Sequence, residues 1–350
     1  MPPARKTPEQ TISGHALLGE ELELTPADIH VRDGIITAID ERRRAPEVWI
    51  CPALFNAHTH LGDTVAMDCG VTGNLVELVT PPDGLKHRLL AQASRPDLVA
   101  GMRASIEGMI AGGTAGCADF REGGSDGVAA LVEASAGLPF RPVIFGRDGG
   151  ERVADGLGVS STRDVRDVEN LVAAARKSGR MVAFHAGERD ADDVDSALSF
   201  DPDLIIHATH ATRKQLRTCA DREIPIAVCP RSNWILGVTS SEKRPPLSLM
   251  GELGCTVYFG TDNVMFVLPD ILSELAFAQT VYHQHPKSLL HAAVAGSVLS
   301  GSPFFIRPGA PAAIFTIDPV RSGMRFSRDP VASIVKRAQN HRIYNNVFNL

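Results

Sequence analysis

An apolar run ends in two histidines one residue apart, in the stretch Val48-Trp49-Ile50-Cys51-Pro52-Ala53-Leu54-Phe55-Asn56-Ala57-His58-Thr59-His60. Its apolar part is typical of a strand that is covered on both faces. Residues i and i+2 of a strand point to the same face, so His58 and His60 present two imidazoles side by side where the strand ends. Imidazole is the commonest nitrogen ligand of zinc and similar metals. An isolated His-x-His also fits one packed and one solvated histidine, so the other strand ends decide its meaning.

The composition indicates a globular protein with a sizeable core. The chain has 350 residues, of which 44% are apolar, and a formal net charge of −6. Its mean hydropathy is near zero and its pI is about 6.1. The lack of a basic run disfavours a nucleic-acid surface, and no apolar run reaches the roughly 18 residues of a membrane span. Met1-Pro2-Pro3-Ala4-Arg5-Lys6 is not followed by the apolar segment of a secretory signal, so we expect a cytoplasmic protein.

The cysteines favour the same compartment. Six of them stand at positions 51, 69, 117, 219, 229 and 255, without a Cys-x-x-Cys pair. Several lie inside apolar runs, which fits buried free thiols in a reducing cytosol better than disulfides or a cysteine zinc site. We expect Cys229 to pack in the core rather than act as a nucleophile, since nothing near it in the sequence indicates a lowered pKa.

Strand-like runs alternate with helix-like segments from residue 50 to about residue 300, which predicts a parallel sheet with helical crossovers. Eight candidate strands lie at 50–58, 114–119, 141–146, 156–160, 180–185, 203–207, 224–229 and 255–261. Helices are predicted between them, for example over 96–111, 164–178, 211–221 and 268–281. Eight strand–helix units in about 250 residues match the size of a (β/α)8 TIM barrel. The predicted fold class is therefore α/β.

The two ends of the chain predict a second, smaller unit. Asp33-Gly34 lies between two β-like runs and is a strong hairpin signal. Residues 312–318 and 343–348 have the same strand-like pattern, after a break at Pro308-Gly309. We expect residues 1–50 and 307–350 to form one small composite β-sandwich domain at the foot of the barrel, with the barrel itself spanning residues 51–306.

Ligand-type side chains recur where the predicted strands end, which is where catalytic groups of a TIM barrel lie. The first strand ends in His58-Thr59-His60, the fifth in His185-Ala186-Gly187-Glu188 and the sixth in His207-Ala208-Thr209-His210. The seventh ends in Cys229-Pro230-Arg231-Ser232-Asn233 and the eighth in Gly260-Thr261-Asp262-Asn263. Each of these signals is weak alone, but together they indicate one site at one mouth of the barrel.

This pattern resembles the amidohydrolase superfamily over nearly the whole chain, including the flanking β-domain. The motifs after strands 7 and 8 look like those of its aromatic deaminase and chlorohydrolase branch, which includes cytosine, adenosine and guanine deaminases. Two-metal members of the superfamily use a modified lysine at the end of strand 4 to bridge their metals. The predicted third and fourth strand regions of this chain contain no lysine, and Lys177 falls in a helical run. The resemblance therefore implies one metal ion rather than two.

The resemblance also implies roles for the residues at the strand ends. His58, His60, His185 and Asp262 are the implied ligands of one divalent ion, Zn²⁺ first and Fe²⁺ as the alternative. An ion with such ligands lowers the pKa of a coordinated water from near 16 towards ~7. Asp262 is expected both to touch the metal and to accept the proton of this water.

Two further residues have implied catalytic roles. In the related deaminases, the carboxylate of His-x-x-Glu protonates a ring nitrogen, a role that falls here to Glu188; such general acid–base catalysis contributes about 10²–10⁴ in rate. His207 is expected to orient the attacking water. The structural alternatives are a carboxylate that stabilises a helix N-terminus for Glu188 and a buried, hydrogen-bonded imidazole for His207.

Substrate contacts are less defined by the sequence. Side chains after the second, third and seventh strands face the catalytic side if these strands are correctly placed, and a flat heterocycle can hydrogen-bond to and stack on such groups. Lys86 and His87, in the long connection after the first strand, either meet an anionic substrate group or form a solvated face. The predicted substrate-binding residues are Arg121, Arg147, Arg231, Asn233, Trp234, Lys86 and His87.

The sequence thus predicts a metal-dependent hydrolase that deaminates an aminated heterocycle, such as a nucleobase, nucleoside, pterin or triazine-like ring. The alternatives are a cyclic amidohydrolase of the imidazolonepropionase type, which opens a ring C–N bond, and a chlorohydrolase. A barrel that only assembles with partners is disfavoured, because all four implied metal ligands are present. The expected partners are the small heterocyclic substrate and water, with no nucleic acid or membrane, and homo-oligomers are common among proteins of this kind.

Overall fold

The structure is a computed structural model that describes residues 9–69, 73–338 and 343–349. Its strands are β1 (Gln10–Leu18), β2 (Glu23–Arg32), β3 (Ile35–Glu41), β4 (Trp49–Pro52), β5 (Leu54–His60), β6 (Thr114–Arg121), β7 (Arg141–Gly146), β8 (Gly156–Val159), β9 (Met181–Ala186), β10 (Leu204–His207), β11 (Ile226–Val228), β12 (Val257–Phe259), β13 (Asp262–Asn263), β14 (Ala312–Ile317) and β15 (Ile343–Asn349). Residues Met1 to Lys6, which bear on the expected lack of a secretory signal, lie outside the described residues.

The α-helices of the same described ranges are α1 (Leu75–Val79), α2 (Leu85–Gln92), α3 (Arg95–Ala111), α4 (Gly124–Ser135), α5 (Val168–Lys177), α6 (Val194–Leu198), α7 (Arg213–Asp221), α8 (Pro230–Ile235), α9 (Leu247–Leu253), α10 (Ile271–Tyr282), α11 (Pro286–Ala295) and α12 (Pro330–Arg337). Short 3₁₀ helices span Leu61–Ala66, Gly150–Arg152 and Gly296–Ser300. No helix in these ranges has both the length and the apolar character needed to cross a bilayer.

The central sheet is a closed parallel barrel. Its strand order is β12-β11-β10-β9-β8-β7-β6-β5-β13, and every neighbouring pair is parallel. β12 and β13 are two segments of the eighth strand: β12 pairs with β11, and β13 pairs with β5. The ring therefore closes through a broken eighth strand, and the predicted (β/α)8 TIM barrel is confirmed. The C-terminal ends of all its strands share one mouth.

The apolar run that precedes the two histidines is divided between two sheets. β4 pairs in parallel with β1 and antiparallel with β14 of the terminal sheet, whereas β5 is the first barrel strand. The change occurs between Ala53, whose amide donates to the carbonyl of Ala313, and Leu54, whose amide donates to the carbonyl of Gly113. The prediction of one strand over 50–58 was wrong, because an uninterrupted apolar run does not mark where the partner strand changes.

The strands outside the barrel form one six-stranded sheet of order β15-β14-β4-β1-β2-β3. The predicted hairpin joins β2 to β3, which pair antiparallel. Its two turn residues, Asp33 and Gly34, have φ values of 53° and 78°. Positive φ at both central residues is the requirement of a type I′ turn, and Asp-Gly is among the sequences that meet it most easily. The small β-unit predicted from both chain ends is thus present as one sheet, in which β1 and β4 are parallel and the other neighbouring pairs are antiparallel.

The two units share apolar packing. One face of the terminal sheet has its own cluster, which includes Ile29 and Ile314, while Trp49 and Phe315 belong to the barrel cluster. α12, which follows the terminal strand β14 in the chain, packs against α10 and α11 of the barrel. The domain limits at 50/51 and 306/307 stay a prediction, because segments on both sides of them contribute to one core.

The cysteines within the described ranges are free thiols. Those at positions 51, 117, 219 and 229 are buried, Cys255 is half-buried and Cys69 is exposed. Burial raises the pKa of the Cys229 thiol well above its ordinary value, with the nearby carboxylate of Asp262 acting in the same direction. A thiol with a raised pKa is a poor nucleophile, so packing is the role that the structure supports for Cys229.

Candidate metal centre and active site

The ends of the first and eighth barrel strands are locked together by buried hydrogen bonds. The side-chain amide of Asn56 donates to Thr261 Oγ1 at 2.7 Å, and the backbone amide of Thr261 donates to Asn56 Oδ1 at 3.1 Å. Thr59 Oγ1 donates to the carbonyl of Asp262 at 3.3 Å. These bonds fix the positions of His58 and Asp262 relative to each other, at the ends of the paired strands β5 and β13.

The four predicted metal ligands converge at the barrel mouth. His58 Nε2 lies 3.1 Å from Asp262 Oδ1 and 3.2 Å from His185 Nε2. His60 Nε2 lies 3.4 Å from the same Asp262 oxygen. All four residues are buried. His58, His60 and Asp262 therefore place three donor atoms within 4.8 Å of one another, and His185 adjoins this group through His58.

In two of these histidines, a hydrogen bond at Nδ1, on the side away from the cluster, fixes the direction of Nε2. His60 Nδ1 lies 3.0 Å from the carbonyl oxygen of Phe120, and His185 Nδ1 lies 3.0 Å from that of Val159. A carbonyl oxygen only accepts, so each Nδ1 carries the proton and each Nε2 keeps a free electron pair. These electron pairs face the interior of the cluster.

The spacing of the donor atoms fits a bound metal ion. Ligands about 2.0–2.1 Å from a tetrahedral zinc ion lie roughly 3.4 Å from one another. Three donor-atom separations are close to this value: 3.1 Å from His58 to Asp262, 3.2 Å from His58 to His185 and 3.4 Å from His60 to Asp262. Burial lowers the pKa of His58 to about 4 and that of His60 to about 3, so both rings are neutral, as ligation requires.

Asp262 has a strained backbone and a second hydrogen-bond partner. Its φ is 63°, in the left-handed region that a non-glycine residue seldom adopts, and such strain persists where the surroundings dictate the geometry. Ser232 Oγ donates to Asp262 Oδ2 at 2.7 Å, which leaves Oδ1 to face the histidines. Burial opposes the charge on Asp262, but the hydrogen bond from His58 and the other nearby histidines hold its pKa well below the ordinary value.

Glu188 and His207 lie beside this cluster. Glu188 Oε1 is 3.5 Å from His207 Nε2. One donor atom from each of Glu188, His207 and Asp262 lies within 4.8 Å of the other two. His207 has a φ of 75°, so the sixth strand end is strained like the eighth. Burial raises the pKa of Glu188, with the neighbouring His207 opposing the shift. A carboxyl group with a raised pKa can hold a proton that it then donates.

A cavity of about 60 Å³ lies over these groups. His60, His185, Glu188, His207 and Asp262 form one side of it. The cations along its wall are Lys86, Arg147 and Arg189.

Arg147 reaches this cavity with part of its hydrogen-bonding capacity unused. Its Nε and Nη2 atoms are buried and have no hydrogen-bond partner among the described residues. Its guanidinium carbon lies 5.9 Å from the ring centre of Phe120, and that ring packs against His58 and His185 at 4.7 and 4.9 Å. The ring of Phe120 therefore lies between the Arg147 guanidinium and the predicted metal ligands His58 and His185. Unpartnered buried donors of this kind are costly unless a ligand satisfies them.

A second group of buried charges lies behind His60. Glu122 Oε1 is 2.9 Å from both His60 Nδ1 and Lys86 Nζ, and Glu122 Oε2 is 2.7 Å from Arg121 Nη2. Lys86 pairs further with Asp63 at 3.2 Å. Burial opposes the charge on Glu122, but Lys86 and the other nearby cations hold its pKa well below the ordinary value, whereas burial raises the pKa of Asp63 to about 7.

Several residues that were predicted to contact the substrate have side chains that are engaged elsewhere in the protein. Arg121 is buried against Asp119 and Glu122 and does not line the cavity. The guanidinium of Arg231 is occupied by Glu274 and by the carbonyl oxygens of Leu268 and Asp270.

Three more of the predicted substrate residues also use their side chains in contacts within the protein. The amide of Asn233 donates to Thr209, Trp234 donates to Tyr282 and packs on Phe277, and His87 contacts the carbonyl of Val79. Of the seven predicted substrate residues, Arg147 and Lys86 line the cavity, and Lys86 is engaged by Asp63 and Glu122.

The predicted site residues do not include Glu122, Ser232 or Arg189. Ser232 stands in the motif after the seventh strand, within helix α8, and Glu122 directly follows β6, so the strand-end rule that found the histidines places both near the site. Arg189 adjoins Glu188 but donates to Thr80 Oγ1, from the long connection after the first strand. Its place in the cavity wall depends on the fold of that connection, for which the sequence has no local signal.

Comparisons with known proteins agree with this geometry. The adenosine deaminase family model matches residues 154–302, which contain His185, Glu188, His207 and Asp262. A protein of Methanothermobacter thermautotrophicus named "Putative aminohydrolase" is 31% identical over 95% of this chain and 95% of its own length. The chain belongs to the amidohydrolase superfamily. This amidohydrolase is accordingly a hydrolase acting on carbon–nitrogen bonds.

Solved structures share the fold of this amidohydrolase. A zinc-bound adenosine deaminase from Xanthomonas campestris superposes with a TM-score of 0.78 at 17% identity, over 97% of this chain and 91% of its own. Atrazine chlorohydrolase from Arthrobacter aurescens, complexed with zinc, superposes with a TM-score of 0.78 at 18% identity, over 95% and 92%. At such identities these likenesses establish the barrel with its terminal sheet.

Proposed function

We propose that this amidohydrolase removes the amino group of an aminated heterocycle by hydrolysis, with one divalent metal ion held by His58, His60, His185 and Asp262. The observation that carries the proposal is the cluster of His58, His60 and Asp262, with His185 3.2 Å from His58, beside the Glu188–His207 pair. Three imidazole nitrogens and one carboxylate suit Zn²⁺ best, with Fe²⁺ as the alternative. When bound, such an ion supplies a water whose pKa is lowered towards ~7.

The protein's own groups divide the proton transfers between them. Asp262, kept anionic, accepts a proton from the attacking water. Glu188, whose pKa is raised by burial, donates a proton to the ring nitrogen next to the carbon under attack. His207, 3.5 Å from Glu188, orients the water towards that carbon. Protonation of the ring nitrogen makes the carbon electrophilic, and the oxygen of the water bonds to this carbon. The bond from the carbon to the amino nitrogen then breaks as the proton taken up by Asp262 passes to the amino group, which leaves as ammonia, and the hydroxyl proton of the product returns to Glu188.

Arg147 is the substrate contact that its position supports. Its two unpartnered N–H groups form a fixed fork that matches an acceptor on the ring, such as a carbonyl oxygen, a ring nitrogen or an anionic substituent. The substrate class is an aminated nucleobase, nucleoside, pterin or triazine-like ring.

The test is ammonia release by the zinc-loaded protein against a panel of such heterocycles. Glu188→Gln keeps the shape of the side chain but removes the acidic proton, so the rate should fall by about 10²–10⁴. A chelator should abolish ammonia release, and added Zn²⁺ should restore it. Ring opening without ammonia would point instead to a cyclic amidohydrolase, and chloride release to a chlorohydrolase. An unchanged rate in Glu188→Gln would refute the role given to Glu188.

We also propose a cytoplasmic location. Its support is the set of free cysteines, with none paired in the described parts of the chain, which is the usual state in a reducing compartment.

A further inference from the structure

The three histidines of the metal centre differ at their outer nitrogens. Within the described residues, His58 Nδ1 has no hydrogen-bond partner, and His185 Nδ1 has the carbonyl oxygen of Val159. His60 Nδ1 donates to the carbonyl oxygen of Phe120, and a carboxylate oxygen of Glu122 lies beside this bond, 2.9 Å from Nδ1, as a charge contact. Of these imidazoles, His60 therefore has a negative charge against its N–H edge.

The carboxylate of Glu122 is held from both sides. Lys86 Nζ lies 2.9 Å from its Oε1, the oxygen nearest His60, and Arg121 Nη2 lies 2.7 Å from its Oε2. Glu122 is 8% exposed, Lys86 2% and Arg121 3%. Side chains this deeply buried cannot exchange their partners for water without a large cost. Lys86 and Arg121 consequently set the orientation of the carboxylate towards the ring, with Arg147 Nη1 as a third, more distant cation 3.7 Å from Oε1.

The same charges fix the backbone that follows His60. Asp119, which pairs with Arg121 at 3.4 Å, also accepts the backbone amide of Leu61 at 2.6 Å. Asp63, the partner of Lys86, lies in the short helix Leu61–Ala66 directly after His60. Both cations that hold Glu122 are thus anchored to carboxylates that are next to His60 in space or in sequence.

We propose that Glu122 is a positioning residue of the metal centre, whose carboxylate strengthens His60 as a metal ligand. The inference rests on the ligand set of the proposed function. A ligating imidazole gives electron density to the metal, and a buried carboxylate at its N–H edge stabilises the resulting positive charge on the ring. Both side chains are buried, so solvent screens this interaction only weakly. Partners of this kind typically contribute 10- to 100-fold in metal affinity.

A purely structural role has a different consequence. If Glu122 only neutralises Lys86 and Arg121, its replacement lowers the stability of the metal-free protein and leaves the intrinsic affinity for zinc unchanged. If it acts through His60, the affinity falls even where the fold is intact. Zinc affinity and metal-free stability therefore separate the two roles without any measurement of catalysis.

The experiment compares three variants of Glu122 as metal-free proteins. Glu122→Asp keeps the charge beside Lys86 and Arg121 but withdraws the carboxylate from His60 by one methylene. Glu122→Gln keeps the shape without the charge, and Glu122→Ala removes both. Glu151→Gln is the matched control, because Glu151 is also 8% exposed and its carboxylate accepts the amide of Gly149 rather than contacting a metal-ligand histidine.

The dissociation constant for Zn²⁺ is measured by competition with a chromogenic chelator, and the melting temperature of each metal-free protein is recorded alongside. We expect zinc binding to weaken by about 10-fold in Glu122→Asp and Glu122→Gln and towards 100-fold in Glu122→Ala. Glu151→Gln should bind zinc as the wild type does. The aspartate variant should melt close to the wild type, since the charge of the buried group is preserved.

Wild-type zinc affinity in the aspartate and glutamine variants would overturn this inference and leave the proposed function standing. If Glu122→Ala does not fold, the aspartate and glutamine variants still decide the question. A wild-type protein that binds no zinc would refute the metal centre itself, and the inference with it.

Discussion

Arg147 offers a direct test of how the cavity recognises its substrate. Within the part of the chain that the structure describes, its Nε and Nη2 atoms are buried without a hydrogen-bond partner, and Nη1 lies 3.7 Å from the carboxylate of Glu122. Arg147→Met keeps a side chain of similar length and apolar character while removing the donors. Because the free protein does not use these two donors, the substitution should leave its melting temperature unchanged or slightly raised.

The effect on catalysis follows from the lost bond to the substrate. A hydrogen bond between a charged group and its partner contributes about 1.5–3 kcal/mol. At about 1.4 kcal/mol per tenfold, one such bond corresponds to roughly a 10- to 150-fold fall in kcat/KM. Most of the change should appear in KM, since Arg147 binds the ring substituent whether or not the reaction has begun.

Steady-state ammonia release measures these constants, and differential scanning fluorimetry follows the fold. Arg152→Met is the control, because Arg152 is exposed on a nearby turn and its side chain does not line the cavity. Equal kcat/KM values in the wild type and Arg147→Met would refute substrate recognition by Arg147. A parallel fall in melting temperature and activity would show that Arg147 is structural instead.

Three other predictions follow from the same geometry. Ser232→Ala removes a 2.7 Å hydrogen bond to buried Asp262 and should weaken zinc binding by about 10- to 150-fold, as read by chelator competition. Arg231→Met leaves Glu274 buried without its cation, so urea unfolding should show a loss of about 3–5 kcal/mol while KM stays the same. Because burial raises the pKa of Glu188 and its protonated form is the active one, kcat should persist below this raised pKa and fall as pH rises through it. The residual rate of Glu188→Gln should lack that fall.

Two regular features of the chain placed the predicted metal ligands at one site, and the resemblance to the amidohydrolase superfamily selected them from the other residues there. Strand parity places His58 and His60 on one face, and a parallel barrel brings every C-terminal strand end to one mouth. These rules need only the strand ends, which the apolar runs mark well. His185 and Asp262 could therefore be assigned to the same cluster although they lie far from His58 in the sequence.

The substrate residues could not be derived in the same way. Residues 230–235 form helix α8, in which successive side chains turn by about 100°, so Ser232 faces Asp262 while Arg231 and Trp234 point elsewhere. The sequence pattern indicated which residues lie close to the site, but not in which direction each side chain points around helix α8.

The sequence pattern also could not predict contacts between segments that are remote in the sequence. Glu122 meets Lys86 and His60 only because helix α2 packs near the ends of the first two barrel strands, and no local signal specifies such an approach. The division of residues 50–58 between two sheets has the same origin, since the partner strands β1 and β14 lie far from it in the chain.

The central claim is that one metal ion is held by residues from strands 1, 5 and 8. Anomalous diffraction at the zinc absorption edge, from crystals of the zinc-loaded protein, tests it most directly. We predict a single strong peak about 2.0–2.2 Å from Nε2 of His58, His60 and His185 and from Oδ1 of Asp262. A peak elsewhere, or one that lacks His185 or Asp262 in its coordination sphere, would contradict the claim.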